Sequence, residues 1–265
     1  MRRPSIILLP ALLLLATATL SHAQTKTYTG AELIAGVKAA KPSGSIYARI
    51  RLEHSAASGA STTLQVQVKR RPTEGDGSES LYQVIFPKER KGESLLLKVQ
   101  GGRFTGSTFE PGRGVQPLKA GSVDAPLFGT ALSIEDLVGS FLKWPSHQIT
   151  GQEKVGNAAC TIVESRPSGG KSGPFVRTWI DDTRFAPMRA EIHGANGKLE
   201  KTVLTEKVMR GSKGYYAPVI FTVTDTTTGA VTRVEGVRSD DDVMYTDADF
   251  SEAALQQVSG APKGS

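Results

Sequence analysis

The sequence predicts a mainly β fold with a few α-helices, in which a continuous antiparallel sheet has one full apolar face. Apolar and polar residues alternate in many short segments, turn residues separate consecutive segments, and two segments have the periodicity of amphipathic helices. Short turns make consecutive strands antiparallel neighbours, and the alternation leaves each strand with one polar side. The two helices are therefore expected to lie on the apolar side of the sheet.

The N-terminal half begins with two predicted strands, at 46–52 and 64–68, that form an antiparallel pair. Their alternating apolar residues are Ile46, Ala48, Ile50, Leu52, Leu64, Val66 and Val68. Two further strands are predicted at 81–86 and 94–99, each bounded by turn segments. The segment 103–125 is rich in Gly and Pro, so it predicts short strand pieces within a long loop.

The C-terminal half repeats the pattern of strands and turns. Its predicted strands are 148–154, 158–164, 175–180, 187–193, 198–208, 216–224 and 230–238. Short turns again make sequential neighbours pair. The period of two does not decide which side of each later strand faces the core, and the same ambiguity holds around Leu95-Leu96-Leu97.

The first amphipathic helix is predicted over 31–40. Leu33, Ile34 and Val37 lie on one side of it, and Pro42 prevents its continuation. A helix with one apolar side covers an apolar surface. We therefore expect this helix to lie against the sheet.

The second amphipathic helix begins after Ser133, whose hydroxyl can cap the helix while Asp136 returns a hydrogen bond. One face of this helix carries Ile134, Leu137, Val138 and Phe141. The helix is expected to end before Trp144-Pro145. A third short helical turn is predicted at 251–256.

Residues 1–23 have the features of a cleavable secretory signal peptide. Arg2 and Arg3 precede an apolar run at 6–15, and small residues occupy the cleavage positions in 21–23. The alternative is an uncleaved membrane anchor, but the run is about half of the roughly 20 apolar residues that a spanning helix needs. The sequence therefore predicts export to the periplasm.

The mature chain is expected to begin near Gln24 and to form one domain over 24–259, followed by a disordered tail at 260–265. Removal of the signal peptide lowers the formal net charge from +6 to +4. This mild excess permits weak attraction to anionic membrane surfaces, but no basic run with interleaved aromatic residues predicts nucleic-acid binding. The single cysteine, Cys160, excludes an internal disulfide.

No constellation of residues predicts catalysis or a metal site. The mature chain contains His54, His147 and His193, which have no further ligand types at the spacing of a metal site. Cys160 alternates with Ile162 in a predicted strand, where a buried, inert thiol is expected rather than a nucleophile. The sequence therefore predicts a protein that is not an enzyme and has no cofactor.

Several segments of the C-terminal half carry a family resemblance. They are FGTALSIEDL at 128–137, ITGQEKVG at 149–156, Cys160, VRTWID at 176–181, FAPMRAE at 185–191, GKLEK at 197–201 and YAP at 216–218. In this order they resemble the LolA-like family of outer-membrane lipoprotein-sorting proteins, which are periplasmic carriers. About 110 residues match, whereas the N-terminal half agrees in layout.

The resemblance implies an open, strongly curved antiparallel sheet, an unclosed barrel, whose concave apolar face is lidded by short helices and receives acyl chains. The candidate residues for the cavity and its lid are Leu33, Val37, Ile46, Ile50, Leu52, Leu64, Val66, Val68, Leu137, Val138 and Phe141. In the family an arginine beside a proline helps to latch the lid. Arg71-Pro72 has a comparable place here, although Arg70 is equally eligible and a solvated basic strand end is the alternative.

The predicted function is that of a periplasmic, monomeric carrier that shelters a lipid or the acyl chains of a lipoprotein and that has an envelope membrane protein as a partner. The alternative is a non-enzymatic interaction module on the same fold, whose cavity is filled by its own side chains. A hydrolase would require a clustered nucleophile and base. A cavity of roughly 300 to 1,000 Å³ or larger favours the carrier, and a tightly packed interior favours the module.

Overall fold

The computed structural model of this protein describes residues 27–40, 44–101, 103–119, 121–167, 170 and 172–260. The predicted signal peptide at 1–23 lies outside the described residues, as do positions 261–265 of the predicted tail.

The described residues form one antiparallel sheet. Its strands are β1 Ile46–Ser55, β2 Ser61–Pro72, β3 Ser78–Phe86, β4 Ser94–Gln100, β5 Arg103–Glu110, β6 Gly114–Pro117, β7 Ser146–Val155, β8 Ala158–Arg166, β9 Phe175–Asp181, β10 Ala186–His193, β11 Leu199–Arg210, β12 Tyr216–Asp225 and β13 Val231–Asp241. Their order is β6-β5-β4-β3-β2-β1-β13-β12-β11-β10-β9-β8-β7. The predicted pairing of sequential neighbours is confirmed, and β6 and β7 form the two edges of a sheet that does not close.

The pairing of β1 with β13 joins the two halves of the chain. Ile46 lies opposite Asp241 and Leu52 lies opposite Val234, with a register shift between Arg49 and Ile50. The sheet curves strongly, since Tyr82 of β3 lines the same cavity as residues of β9, although six strands lie between β3 and β9. The two halves therefore face each other across one concave side.

Helix α1 spans Gly30–Ala39 and begins with a capping box between Thr29 and Glu32. Its buried residues Leu33, Ile34 and Val37 pack in a cluster with Val163 of β8 and Ile180 of β9. The predicted helix on the apolar side of the sheet is thus confirmed, and it covers β8 and β9, near the β7 edge of the sheet.

The second predicted helix is shorter than the sequence indicates. The Ser133–Asp136 capping box is present, but helix α2 covers only Ile134–Val138. Gly139 has a φ of +61°, the left-handed conformation that ends helices, and a 3₁₀ helix follows at Ser140–Lys143. The expectation of one helix through Phe141 is therefore wrong, because the periodicity ignores the break that this glycine introduces.

The inner face of the sheet is the side that carries Leu52, Leu64 and Val84. These residues join a core cluster with the chain around α2, which consists of Leu52, Leu64, Val66, Val68, Val84, Leu95, Leu97, Leu127, Ala131, Leu132, Ile134, Val223 and Val234. The cluster lies over strands of the N-terminal half and over β12 and β13. This part of the inner face is a filled core.

The opposite side of the sheet, the outer face, is covered by the C-terminal segment 243–259. Phe250 and Leu255, the latter in helix α3 Glu252–Gln256, are buried against Leu81 and Leu96. The Lys69 ammonium, whose side chain is 2% exposed, donates to Asp249 Oδ1 at 3.0 Å and to Ser259 Oγ at 2.8 Å. The segment therefore seals the outer face with both apolar and polar contacts.

The ion pair of Asp249 makes this seal dependent on pH. Burial by itself would raise the pKa of the Asp249 carboxyl, but hydrogen bonds from the Thr246 backbone N–H and from Lys69 lower the pKa below its ordinary value. A lowered folded-state pKa stabilises the fold at neutral pH, and that stabilisation is lost as the pH falls through the lowered pKa.

We expect Leu64→Ala to lower the free energy of unfolding by about 2 to 5 kcal/mol, because Leu64 is fully buried in the core cluster and its truncation leaves a cavity. Urea denaturation followed by circular dichroism measures the change. Leu204→Ala is the matched control, since Leu204 is 45% exposed and its truncation is expected to cost less than about 0.5 kcal/mol. Equal effects of the two substitutions would contradict this packing.

Candidate ligand cavity

A cavity of about 660 Å³ lies between the inner face and the segments that cover it. Strands β9 to β12 form one wall, with the inward residues Val176, Thr178, Ala190, Ile192, Val203, Thr205, Phe221 and Val223. The opposite wall consists of Val37 of α1 and of Leu137, Val138, Phe141, Leu142 and Trp144. The lining is therefore predominantly apolar.

We call residues 122–144 the lid segment, since they run across the cavity. The Lys201 ammonium of β11 holds this segment from the opposite wall. It donates to Asp136 Oδ2 at 2.6 Å and to Ser133 Oγ at 3.1 Å, and thus binds both members of the α2 capping box. The side chains of Lys201 and Asp136 are each 15% exposed, so solvent screens the pair only partly.

Three further contacts attach the lid segment elsewhere. The Ala131 backbone N–H donates to Thr232 Oγ1 of β13 at 2.9 Å. Arg90, in the turn between β3 and β4, donates to the Phe128 carbonyl at 3.1 Å. Lys143 pairs with Asp76 of the β2–β3 turn at 2.5 Å. The lid segment is therefore attached to both halves of the sheet.

A second cavity, of about 350 Å³, lies on the other side of the lid segment. Leu127 lines both cavities, and Phe128 beside it has the left-handed φ of +51° that is uncommon for a residue with a side chain. The short helical turn Leu127–Gly129 thus forms the partition between the two cavities.

The predicted lining residues, with the exception of Ile46, fall into two groups. Those that line the cavity are Val37, Ile50, Leu137, Val138 and Phe141. Those that are buried in the core clusters beside it are Leu33, Leu52, Leu64, Val66 and Val68. Ile46, in contrast, lies at the start of β1 between Asp241 and Arg70. The part that any of them plays in ligand binding stays a prediction.

Arg71, the candidate latch, lies away from the lid segment. Its guanidinium donates to Glu79 Oε2 at 2.6 Å and to Asp247 Oδ1 at 2.7 Å, and it stacks over the Phe250 ring. These contacts hold the C-terminal segment on the outer face. Lys201, and not Arg71, contacts the lid segment from the sheet, because the alternation in β2 turns Arg71 outward.

The sequence pattern does not predict the wall formed by β9 to β12. The missing information was the side of each strand that faces inward, as Leu204 and Val203 illustrate. Leu204 is 45% exposed, whereas its less bulky neighbour Val203 lines the cavity. Cross-strand register supplies this information, since Val203 pairs with both Ala190 and Val223.

The described residues present no arrangement for metal or thiol chemistry. No group of three or more potential metal ligands occurs among them. Cys160 is 3% exposed, and burial raises the pKa of its thiol to about 11, so the reactive thiolate is scarce at neutral pH. Separately, none of the described helices is of a length and hydrophobicity that would cross a bilayer.

Comparison with protein families gives a match over most of the sheet. A family model with the description "Uncharacterized protein" matches residues 78–257. The chain belongs to this family. No curated protein sequence matches the chain.

Solved structures place this family member in the LolA-like fold. A DUF1329 family protein from Desulfovibrio piger is 19% identical, with a TM-score of 0.78, over 86% of this chain and 98% of that one. A domain from Vibrio parahaemolyticus, described as an outer-membrane lipoprotein-sorting protein, is 21% identical, with a TM-score of 0.76, over 86% and 98%. A LolA superfamily protein from Nitrosomonas europaea is 18% identical, with a TM-score of 0.68, over 86% and 100%. The fold predicted from the family resemblance is confirmed.

We expect Lys201→Met to loosen the lid segment, because it leaves the Asp136 carboxylate without its cationic partner in a half-buried position. Hydrogen–deuterium exchange should show faster exchange of the backbone amides of α2, by about tenfold if the pair contributes about 1.4 kcal/mol to closure. Lys207→Met on the same strand is the control, since Lys207 is exposed. Unchanged exchange in α2 would show that the ion pair does not hold the lid segment.

Proposed function

We propose that this protein is a periplasmic carrier that shelters a lipid, or the acyl chains of a lipoprotein, in the 660 Å³ cavity. The observation that carries the proposal is a mostly apolar cavity under a short lid segment. Its volume lies within the range of roughly 300 to 1,000 Å³ that small-ligand sites occupy. Each methylene group that leaves water gains about 0.8 kcal/mol, so a chain of about 15 gains on the order of 12 kcal/mol.

Two further features support this function. The fold is similar to that of a domain described as an outer-membrane lipoprotein-sorting protein, and this similarity favours a carrier role. The signal-peptide features of residues 1–23 agree with export to the compartment where such a carrier works.

The competing function is an interaction module whose cavity is filled by its own side chains. The packed cluster around Leu52 and Leu64 corresponds to that expectation over one half of the inner face. Over β9 to β12 the inner face borders open space instead. An acyl chain bound there replaces water against apolar walls, whereas a protein partner on the outer surface makes no use of that space.

The first test is native mass spectrometry of the protein purified from the periplasm without detergent, followed by lipid extraction. We expect phospholipid or acylated peptide at close to one per chain, since a single main cavity offers room for one cargo. A protein that is bare after purification and that also fails to bind added lipid would favour the interaction module.

A second test fills the cavity. Ala190 lies in the β10 wall, and Ala190→Trp places an indole where the acyl chain is proposed to lie. We expect lipid binding to fall by at least about tenfold with the circular dichroism spectrum retained. Ala159→Trp is the matched control, because Ala159 is an exposed strand residue of β8. Full binding by Ala190→Trp would place the lipid elsewhere.

A further inference from the structure

The ionisable groups around the main cavity are mostly acidic. Four carboxylates line it, those of Asp124, Glu135, Asp136 and Glu200. The Lys201 ammonium meets one of them, Asp136. This local excess of negative charge is opposite in sign to the chain as a whole, whose formal net charge is +6.

The guanidinium of Arg189 does not offset these carboxylates. Although Arg189 borders the cavity, its guanidinium pairs with Glu191 and lies 4.6 Å from the centre of the Trp179 ring. Arg189 is directly opposite Trp179 in the register of β10 and β9, and Trp179 packs on the outer face with Cys160 and Met188. The positive charge of Arg189 is therefore already paired with Glu191, on the outer face of the sheet.

The remaining carboxylates differ in how well they are satisfied. Glu135 Oε1 accepts a hydrogen bond from the Ser140 backbone N–H at 2.8 Å. The side chains of Asp124 and Glu200 have no hydrogen bond or ion pair with any described residue, and both residues are exposed at the edge of the cavity. They remain available to a cation that enters with the cargo.

A buried hydroxyl lies deeper in the cavity wall that β9 to β12 form. Thr178 is 1% exposed, and its Oγ1 has no hydrogen-bond partner among the described residues. A buried hydroxyl without a partner costs stability, and such groups are uncommon. Since Thr178 lines the cavity, an acceptor on a bound ligand would satisfy it after a small side-chain adjustment.

Strand register relates the hydroxyl to the acidic end of the cavity. Lys201, beside Glu200, pairs with Ile192, which pairs with Val176. Thr178 is in the next inward row, opposite Ala190. Two residues along a strand correspond to about 7 Å. The cavity thus presents the carboxylates of Glu200 and Asp136 at one end, a hydrogen-bonding group about one row deeper and apolar walls around them.

We propose that the cargo is an amphiphile whose head carries a positively charged group and whose linkage to the acyl chains carries a carbonyl oxygen. This inference rests on the proposed carrier function and adds the chemical class of the cargo. The cation lies against Asp124 and Glu200, and the carbonyl accepts from Thr178 Oγ1. A lipid with only an anionic head is disfavoured, because like charges at short range repel and lose their hydration.

The test is a competition between phosphatidylethanolamine and phosphatidylglycerol with identical acyl chains, followed by native mass spectrometry at low salt. The first head carries an ammonium group and the second does not. We expect the ethanolamine lipid to be bound about threefold to fivefold more, the range for a partly exposed ion pair. Higher salt should reduce this preference.

The double substitution Asp124→Asn and Glu200→Gln should bring the ratio of the two lipids close to one. The matched control, Glu74→Gln with Glu89→Gln, removes two exposed carboxylates outside the cavity and should keep the wild-type ratio. Equal binding by the wild type, or a preference that survives the double substitution, would overturn the inference and leave the carrier function intact. If the wild type binds neither lipid, the inference fails and so does the carriage of phospholipid, which leaves an acylated peptide as the cargo of the carrier.

Thr178→Val tests the buried hydroxyl through two opposite effects, a gain in thermal stability and a loss of lipid affinity. Valine has nearly the same shape, so we expect the lipid-free protein to gain about 2 to 4 °C in its thermal midpoint, while the affinity for either diacyl lipid falls about threefold to tenfold. Unchanged affinity would show that Thr178 makes no contact with the cargo. Thr202→Val, at a half-buried position of β11, is the control for the substitution itself.

Discussion

The pairing of β1 with β13 is the constraint on which the rest of the structure depends. It joins strands from opposite ends of the chain and turns two meanders into a single curved sheet. Without it, β1 to β6 and β7 to β13 would each present an apolar side to solvent, which is costly over so large an area. The cavity exists because this pairing brings β3 and β9 to face one another across the inner side.

The lid segment is too short to cover the whole inner face, and this explains why the main cavity remains open over β9 to β12. Leu127, Leu132 and Ile134 fill the space over β1 to β4. Over β9 to β12 the described residues that cover the sheet belong mainly to α2, the following 3₁₀ helix and the edge of α1. A closely packed interior cannot form where too few side chains are available, so open space remains.

The net charge of the chain and the charge around the cavity have opposite signs. A net positive chain is drawn weakly toward anionic membrane surfaces over the range of the Debye length. At the cavity the sign reverses, and Lys201 is already engaged by Asp136. Long-range attraction to a membrane and short-range preference for a cationic head are compatible, because they act over different distances.

The sequence by itself determined the elements whose information is local: most of the strand positions, the capping box at Ser133, and the helical turn at 251–256. Periodicity and capping act over a few residues and therefore survive without the fold. Only the tertiary structure decided which strands border the cavity, that Lys201 rather than Arg71 contacts the lid segment, and that β1 pairs with β13. Those features depend on which strand side faces inward and on contacts between distant residues. An alternating sequence pattern specifies neither of them.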